Sequence, residues 1–358
     1  MEQLKNESSR QYEYMEEMKK WVQKKSEELG RKLTCHVTTF GCQMNARDSE
    51  KLLGILKDIG YQESDDEENA DFVIYNTCTV RENANLRVYG RLGQLKKVKR
   101  ANGEMIIAMC GCMMQEPEVV EKIKTSYKFV DIVFGTFNIF KLAELMYMCF
   151  TGDEQVIDIW DSTKEVVEEL PTSRKYPFKS GVNIMFGCNN FCTYCIVPYT
   201  RGKQRSRKMS EILKEVQQLK DEGYKEITLL GQNVNAYGKD MDNEQDFATL
   251  LEEVAKIGIP RVRFTTSHPW DFSEEMIDII AKYDNIMPFI HLPLQSGDDD
   301  VLKLMGRRYT KESYLALYDK IVNTIPNVSV STDIIVGFPN ETEEQFQDTL
   351  SLYEECEY

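Results

Sequence analysis

The chain has 358 residues, more than the usual single domain, so two hydrophobic cores with one boundary between them are expected. Its formal net charge of −15 argues against a protein that coats nucleic acid, because phosphate binding depends on clustered Lys and Arg. No apolar run approaches the ~18 residues of a membrane span, and the N-terminus lacks the apolar core of a signal peptide. In the cytosolic protein that we therefore expect, the ten cysteines are more readily metal ligands, nucleophiles or packing residues than disulfides.

The first part of the chain alternates between helical and apolar patterns. A polar helical leader is predicted over 1–32, with an amphipathic helix over residues 10–30. From 33 to 150, helical stretches separate apolar stretches typical of strands, which read LTCHVTTF, DFVIYN, EMIIAMC and VDIVFG. This order predicts an α/β domain with a parallel sheet covered by helices.

A second alternating series follows a break in the pattern. Residues 151–180 are acidic and then interrupted by proline, so we predict a linker there. Over 181–358, five apolar stretches alternate with helical ones, which predicts a partial (β/α) barrel. The last helix is expected to start at Thr342 with a capping box and to run on to the end of the chain.

Three cysteines lie close together at the start of this second series. Cys188, Cys192 and Cys195 form a C-x3-C-x2-C pattern directly after the first strand. Three thiolates without a fourth ligand fit an iron-sulfur cluster better than structural zinc, which is closed by four ligands. The fourth iron would then be open to a small molecule. The alternative is a zinc site completed by His268 or His291.

Three more cysteines are distant in sequence but follow three successive strands of the first domain. They are Cys42, Cys78 and Cys112. Because the loops at the carboxyl ends of parallel strands converge, these thiols could share one site. The alternative is that they are buried packing residues, as we expect for the other four cysteines, Cys35, Cys110, Cys149 and Cys356.

The motifs carry a family resemblance. CNNFCTYC resembles the signature of radical S-adenosylmethionine (SAM) enzymes, and GCQMNARDSE, NTCTVRENA and GCMMQ resemble the cysteine motifs of methylthiotransferases. The likeness continues through VPYTRGKQRSR, LLGQNVNAYG, HLPLQSGDDDVLKLMGRRYT and TDIIVGFPNETEEQF. Gln43, Met44 and Asn45 after the first cysteine resemble the MiaB branch, whereas Pro-Lys or Lys-Val would be typical of the branches that modify a ribosomal protein or threonylcarbamoyladenosine.

The resemblance implies a reaction and its cofactors. Cys188, Cys192 and Cys195 would hold a [4Fe-4S] cluster that binds SAM and reduces it to a 5′-deoxyadenosyl radical. Cys42, Cys78 and Cys112 would hold an auxiliary [4Fe-4S] cluster that carries the sulfur. The product would be tRNA with a methylthio group at C2 of N6-isopentenyladenosine beside the anticodon. The enzyme would be a cytoplasmic monomer that receives electrons from a flavodoxin or ferredoxin.

Further contacts are expected where strands end. The strand-end candidates for SAM are Gln232, Asn233, Gln295, Ser296, Asp333 and Gly337. Tyr194, inside the cysteine loop, is the candidate for the adenine of SAM, and Arg308 is the candidate for its carboxylate. The alternative for each polar side chain is a cap on a strand or helix. Arg201, Arg205 and Arg207 are the candidates for tRNA phosphates. The basic stretches 88–100 and 201–208 are either phosphate contacts or solvated surfaces.

The chain departs from the family pattern at its C-terminal end. Members usually complete a six-strand partial barrel and add a small tRNA-binding β domain, whereas this chain is expected to end after strand five and its helix. The alternative functions are the same reaction on threonylcarbamoyladenosine in tRNA or on a ribosomal protein, and a non-catalytic iron-sulfur protein.

Overall fold

The computed structural model describes residues 2–80, 82–242 and 245–358. It divides into two compact units. The first comprises Met1–Lys175 and Tyr199–Gly202, and the second comprises Tyr176–Pro198 and Lys203–Tyr358. Within the described ranges, no helix combines the length and the apolar character that crossing a membrane requires.

The first unit is built on a six-stranded parallel sheet with strand order β2-β1-β3-β4-β5-β6. The central strands are buried on both faces, since every residue of β3 is buried, and this explains why they read as continuous apolar runs. The strands are β1 (Thr34–Thr39), β2 (Gln62–Glu63), β3 (Phe72–Thr77), β4 (Ile106–Gly111), β5 (Ile132–Phe134) and β6 (Val156–Asp158). The predicted α/β domain is confirmed.

Helices cover both faces of this sheet. One core contains side chains of α1, α2 and α5, and a separate core contains side chains of α3 and α4. The helices are α1 (Glu2–Leu29), α2 (Gln43–Asp58), α3 (Glu82–Ala101), α4 (Pro117–Ser126) and α5 (Leu142–Thr151). Met15, Met18 and Val22 of α1 are buried in the first core, so the predicted leader packs as part of the first unit.

The segment predicted as a linker, 151–180, also folds largely with the first unit. It contains β6, which pairs in parallel with β5. Leu170 is buried, and Lys51 forms a buried ion pair with Glu168. A three-residue strand within an acidic stretch gives too short a period for the sequence to reveal it.

The second unit has the strand and helix alternation of a partial barrel. β7, β10 and β11 form a parallel sheet, and β12 pairs in parallel with β13. A parallel bridge between Val262 and Ile286 connects β11 to the residues before β12. The strands are β7 (Lys179–Asn183), β8 (Met185–Phe186), β9 (Arg205–Ser206), β10 (Glu226–Leu230), β11 (Arg261–Phe264), β12 (Phe289–His291) and β13 (Ser329–Ser331).

Seven helices of the described chain follow these strands. They are α6 (Val197–Thr200), α7 (Met209–Asp221), α8 (Phe247–Ile257), α9 (Glu274–Lys282), α10 (Asp299–Leu304), α11 (Lys311–Thr324) and α12 (Glu343–Glu355). The predicted capping box is confirmed, because the Thr342 side chain accepts from the Gln345 backbone N–H and the Gln345 side chain accepts from Thr342. The helix ends at Glu355 and does not continue to Tyr358, contrary to expectation.

Candidate functional site

Three of the six predicted ligand cysteines directly follow a glycine with positive φ. Gly41, Gly111 and Gly187 have φ values of 149°, 96° and 74°, and Cys42, Cys112 and Cys188 come next. A residue with a Cβ rarely adopts this conformation, so the glycines allow the chain to turn sharply as it leaves the strand. A Cβ on Gly111 would lie 2.3 Å from the Thr77 carbonyl oxygen, which shows how closely neighbouring strand ends approach.

The three cysteines of the first unit converge around one buried amide. Cys42 caps the N-terminus of α2, Cys78 follows β3, and Cys112 begins a short 3₁₀ turn after β4. The Sγ atoms of Cys42 and Cys112 lie 3.5 and 3.9 Å from Asn45 Oδ1. A Cβ on Gly41 would lie 2.7 Å from the Cβ of Cys78. The structure therefore brings together cysteines that are separated in sequence.

A buried arginine completes this site. Arg201 Nη2 donates to Asn45 Oδ1 at 2.9 Å and to Asp48 Oδ2 at 2.8 Å. Asn45 Nδ2 donates to the Thr77 carbonyl oxygen at 2.8 Å, which fixes the orientation of the amide. Arg201 belongs to the four-residue segment that packs with the first unit although it follows the cysteines of the second.

The arginine also shapes the electrostatics of the site. Burial raises the pKa of the Cys112 thiol, while the nearby Arg201 charge opposes that rise. Burial acts to lower the pKa of Arg201, but Cys112, Asp48 and Cys42 outweigh it and raise that pKa. The guanidinium is therefore a permanent positive charge beside the cysteine sulfurs.

These residues suit an iron-sulfur cluster. The donor set is three thiols, which is the ligand type that such clusters use. Within the described part of the chain, no three His, Cys, Asp or Glu side chains stand close enough to hold a single metal ion. A four-iron cluster spaces its sulfur ligands more widely than one ion does, so the wider spacing of this trio is compatible with it.

The three cysteines of the second unit lie on one loop after β8. The Cys195 N–H donates to the Cys192 carbonyl oxygen at 2.9 Å, and the Asn190 N–H donates to Cys188 Sγ at 3.4 Å. Burial raises the pKa of Cys188 to about 11, and the neighbouring Cys195 and Cys192 thiols add to this rise. A loop with a backbone turn between two of its cysteines and an N–H directed at the third is organised for binding by all three.

The end of α10 holds this loop in place. The Thr193 N–H donates to the Met305 carbonyl oxygen at 3.0 Å, and the Thr193 hydroxyl donates to the Leu304 carbonyl oxygen at 3.0 Å. Arg307 Nη1 donates to Cys192 Sγ at 3.6 Å, with the guanidinium 5.6 Å from the centre of the Tyr309 ring. The sequence analysis did not predict a role for Arg307. The one signal that could have indicated it is its position shortly after the helical stretch that forms α10.

Of the predicted cofactor residues, Gln232 contacts this loop and Tyr194 belongs to it. Gln232 Oε1 accepts from the Gly187 N–H at 2.5 Å, which ties the end of β10 to the cysteine turn. The Tyr194 ring lies 6.3 Å from that of Phe338, and burial raises the pKa of Tyr194 to about 12. Both residues are positioned beside the cysteines, and their contacts with SAM stay predictions.

The remaining predicted cofactor residues differ in surroundings. Asn233 Nδ2 donates to Asp271 Oδ2 at 2.6 Å, and the Ser296 hydroxyl lies 3.3 Å from Thr349 Oγ1, where it joins α12. Gln295 is buried at φ 68°, whereas the Asp333 side chain is exposed and lies 3.4 Å from His291 Nε2. The Gly337 N–H donates to Glu341 Oε2 at 2.6 Å. Ser296 thus has the structural contact that the capping alternative predicts.

Arg308 is exposed, whereas its neighbour Arg307 is directed at the cysteine loop. The predicted contact between Arg308 and the SAM carboxylate stays a prediction, and the structure offers Arg307 as the arginine beside the cysteines.

Several buried polar atoms of the described chain have no hydrogen-bond partner near these strand ends. They are Asn190 Nδ2, Asn233 Oδ1, Ser267 Oγ and Arg307 Nε. Buried polar groups are nearly always paired, so atoms of this kind indicate a missing polar ligand. Their segments follow β8, β10, β11 and α10, at the edge where a partial barrel binds its ligand. The residues therefore fit SAM and a cluster.

His268 is a second residue that the sequence interpretation used only as an alternative zinc ligand. Its Nδ1 accepts from the Trp270 N–H at 3.3 Å, so the neutral ring carries its proton on Nε2. Burial and the Arg307 charge lower its pKa to about 4. It is therefore a neutral hydrogen-bond donor at ordinary pH.

The arginines predicted to contact tRNA are not alike. Arg201 is paired with Asp48, and Arg207 Nη1 lies 2.8 Å from Glu215 Oε2. Both arginine side chains are buried. Burial disfavours a phosphate contact for these two, whereas Arg205 on β9 is half-buried. In the stretch 88–100, Arg91 pairs with Glu67 and Lys99 with Asp131, which removes part of its positive charge.

The four cysteines predicted to be packing residues are free thiols. Cys35, Cys110 and Cys356 are buried, as expected, and Cys149 is half-buried against the first core. Burial raises the pKa of Cys35 to about 12, so its thiol is unreactive at ordinary pH.

Comparisons with known proteins find two family models that match different parts of the chain. Residues 182–353 match the radical SAM superfamily, and residues 34–135 match uncharacterized protein family UPF0004. The chain is 60% identical over 338 residues to the tRNA-2-methylthio-N6-dimethylallyladenosine synthase of Lachnoclostridium phytofermentans, covering 94% of this chain and 74% of that protein. Proteins of the same name from Staphylococcus haemolyticus and Staphylococcus aureus are each 53% identical, and the alignments cover 94% and 93% of this chain and 66% and 65% of theirs.

Solved structures resemble the chain in fold. The radical SAM methyltransferase TsrM from Kitasatospora setae matches with a TM-score of 0.63 and 14% identity, over 91% of this chain and 71% of that one. The cobalamin-dependent SAM radical enzyme OxsB matches with a TM-score of 0.61 and 12% identity, over 90% and 52% of the two chains. At this identity the likeness concerns architecture alone.

Proposed function

The chain belongs to the family of tRNA-2-methylthio-N6-dimethylallyladenosine synthases, which are radical SAM methylthiotransferases, and on this premise we propose its reaction. It inserts sulfur and a methyl group at C2 of N6-isopentenyladenosine beside the anticodon of tRNA. The observation that carries the proposal is the presence of two separate cysteine trios, each gathered at the carboxyl ends of strands. Sulfur insertion at an unactivated carbon needs both a radical source and a sulfur source, and two trios can supply them.

The residues of the second unit would hold the radical-generating group. Cys188, Cys192 and Cys195 would ligate one [4Fe-4S] cluster and leave an iron for SAM. When bound, SAM and this cluster supply a carbon radical that removes hydrogen from the substrate, and the auxiliary cluster supplies sulfur. Gln232 and Thr193 keep the cysteine loop at the strand ends through the hydrogen bonds that they make.

Side chains around this loop would bind the polar groups of SAM. The unpaired atoms of Asn190, Asn233 and Ser267 are available donors and acceptors, and a ligand that pairs them would remove the cost of leaving them buried and unsatisfied. The neutral His268 ring contributes an N–H donor at Nε2. Tyr194 and Phe338 present aromatic surface beside the same loop, which suits an adenine ring.

The residues of the first unit would hold the auxiliary cluster. Cys42, Cys78 and Cys112 would be its ligands, and the glycines at positions 41 and 111 let their loops approach closely. Asn45 connects the three loops, since its side chain contacts Cys42, Cys112 and the Thr77 carbonyl oxygen.

We further propose the partners that the reaction requires. The tRNA is the substrate, a flavodoxin or ferredoxin is the electron donor, and the enzyme acts as a monomer in the cytoplasm. Arg205 and the exposed basic side chains of 88–100 are the residues of this chain best suited to tRNA phosphates, because they lie at or near the surface.

Mass analysis of tRNA nucleosides tests the proposal. Deleting the full-length gene is expected to remove the methylthio nucleoside and to accumulate the isopentenyl nucleoside. The wild-type gene and a Cys149→Ala control should restore the product, whereas Cys188→Ala should not, because Cys149 lies outside both trios. An unchanged nucleoside profile on deletion would refute the proposed function.

A further inference from the structure

Arg201 lies in the site of the auxiliary cluster although its sequence position led us to predict a phosphate contact. We propose that Arg201 is a positioning residue of this cluster, which holds the ligand loops together and supplies a positive charge beside their thiolates. The inference rests on the proposed function, since it requires a cluster on Cys42, Cys78 and Cys112. It concerns a residue that acts through its neighbours and not one that reacts.

The burial of Arg201 argues that its partners are internal. The residue is 5% exposed, and Asp48, with which it forms an ion pair, is 4% exposed. A phosphate of a large nucleic acid cannot reach a guanidinium enclosed in this way without rearrangement of the protein. A buried charge is retained only where pairing and hydrogen bonds offset its desolvation, and here Asp48 and Asn45 provide both.

The hydrogen bonds give Arg201 control over the cysteine loops. One nitrogen, Nη2, donates both to Asp48 on α2 and to Asn45 on the same helix. The Asn45 amide oxygen that accepts this bond also faces the sulfurs of Cys42 and Cys112. Asn45 Nδ2 donates to the Thr77 carbonyl oxygen while Asn45 Oδ1 accepts from Arg201, so the two bonds together prevent the amide from flipping. Arg201 thereby keeps the amide oxygen directed at the sulfurs.

Charge is the second contribution. The Cys78 and Cys112 thiolates and the Asp48 carboxylate are buried, so their negative charges interact more strongly than they would in water, whereas Cys42 is exposed. Arg201 places its charge beside these sulfurs, because Nη2 donates to Asn45 Oδ1, which lies 3.5 and 3.9 Å from the Sγ atoms of Cys42 and Cys112. A fixed positive charge beside a cluster favours its reduced form, because reduction adds a negative charge. Removing Arg201 should therefore make reduction less favourable.

The test uses the complete gene product with Cys188, Cys192 and Cys195 all replaced by Ala, so that the first trio alone can bind a cluster. The protein is reconstituted anaerobically with iron and sulfide, and its iron content and thiolate-to-iron absorption are measured. Potentiometric titration then gives the ratio of reduced to oxidised cluster. The substitutions are Arg201→Met, Arg201→Lys and, as a matched control, Arg47→Met, since Arg47 is also buried and paired with a carboxylate, Glu50, on the same helix.

We expect Arg201→Met to lower the reduced-to-oxidised ratio at fixed potential by about tenfold or more, equivalent to about 59 mV for one electron. Arg201→Lys keeps the charge, but the shorter lysine side chain cannot place its nitrogen where Nη2 contacts both Asp48 and Asn45, so its ratio should stay within about threefold of the parent while its iron content falls. Arg47→Met should change neither quantity. A role confined to folding would not separate Lys from Met in this way.

A further variant keeps the test decisive if Arg201→Met does not fold. Arg201→Gln combined with Asp48→Asn replaces the ion pair by a neutral hydrogen bond and leaves no buried carboxylate unpaired. It should fold like the parent but hold less iron, because it lacks the arginine that connects Asp48 and Asn45, while its ratio should fall less than in Arg201→Met, since a negative charge is removed together with the positive one. An unchanged ratio in Arg201→Met, or full iron in the Gln and Asn double variant, would overturn the inference alone, whereas a parent without iron would overturn the auxiliary cluster itself.

Discussion

The two cysteine trios reach similar chemistry by different routes. Cys188, Cys192 and Cys195 occupy one loop, so local spacing alone brings them together. Cys42, Cys78 and Cys112 follow three different strands, and only the pairing of β1 with β3 and of β3 with β4 makes them neighbours. The first kind of site requires one loop to fold correctly, and the second requires a whole sheet, because the entropy of closing long loops must be offset by packing elsewhere.

The trios also differ in their cationic neighbours. Arg201 is held by an amide and a carboxylate among the sulfurs of the first trio, whereas Arg307 donates directly to Cys192 of the second. The second site additionally has buried polar atoms without partners in the described residues, such as Asn233 Oδ1 and Ser267 Oγ. A site whose polar side chains pair with one another suits a cluster that the protein holds firmly, and a site with unpaired polar atoms suits exchange of a small molecule.

The largest effect should come from removing one trio at a time. Replacing Cys188, Cys192 and Cys195 by Ala should leave about half the iron and sulfide and abolish SAM cleavage. Replacing Cys42, Cys78 and Cys112 should preserve cleavage to 5′-deoxyadenosine while methylthio transfer is lost. Iron assay and product analysis on the full-length protein measure both outcomes.

The control for this experiment is the Cys110→Ala and Cys149→Ala pair, which removes thiols outside both trios. It should keep full iron and both activities. The separation of the two sites is wrong if the first triple variant holds no iron above background, or if the second still forms methylthio product.

Next in size is the effect of adding a methyl group where strand ends meet. Gly111→Ala forces a residue with a Cβ into φ 96° and places that Cβ 2.3 Å from a backbone oxygen. Since backbone cannot yield cheaply, we expect the first unit to lose about 4 kcal/mol of stability. The unfolding midpoint of the first unit and the amount of iron held by the first trio should both fall, while SAM cleavage persists. Gly90→Ala is the control, because its Cβ would meet nothing within 4 Å.

Much of this comparison could be predicted from the sequence. The alternation of strands and helices gave both units, and the placement of cysteines after strands gave the six candidate ligands, because strand order in α/β proteins determines which loops converge. The local trio was evident from spacing alone. The dispersed trio needed the predicted sheet as well.

What the sequence could not give concerns side chains that act at a distance. Arg201 and Arg207 lie in a basic stretch that reads as a phosphate-binding loop, yet both are buried against carboxylates from elsewhere in the chain. β6 was hidden because three residues do not establish a period. Burial and pairing depend on tertiary packing, which a local charge pattern does not encode.

A pH-dependent effect should distinguish the second unit. His268 has a pKa of about 4 in the folded protein against 6.5 ordinarily, because it is buried and faces Arg307, Arg308 and Lys239, with Asp271 acting in the opposite sense. The unfolded chain therefore binds a proton first as pH falls. Above pH 6.5 His268 is neutral in both states and does not lower the free energy of unfolding. As the pH falls from 6.5 towards 4, proton binding by the unfolded chain lowers that free energy by up to about 3 kcal/mol.

His268→Asn should flatten the dependence of the second unit's unfolding on pH between about 4 and 6.5. Thermal or denaturant unfolding followed at several pH values measures the slope. His36→Asn lies in the first unit and should leave that transition unaltered. An equally steep slope in the His268 variant would show that other groups control the acid sensitivity.

The smallest effect should come from replacing a glycine beside the cysteine loop of the second unit. Gly306 has φ 72°, but a Cβ there would lie 3.3 Å from the Phe191 carbonyl oxygen and 3.6 Å from Cys192 Cα, contacts that a slight shift can relieve. Gly306→Ala should therefore cost only about 1 kcal/mol, chiefly for the left-handed backbone, and should reduce SAM cleavage modestly. Gly93→Ala, in the middle of α3 with open space around it, should instead stabilise the first unit by about 0.5–1 kcal/mol. A loss at Gly306 as large as that at Gly111 would mean that the single loop is as tightly constrained as the three converging ones, and the contrast between a local and an assembled site would fail.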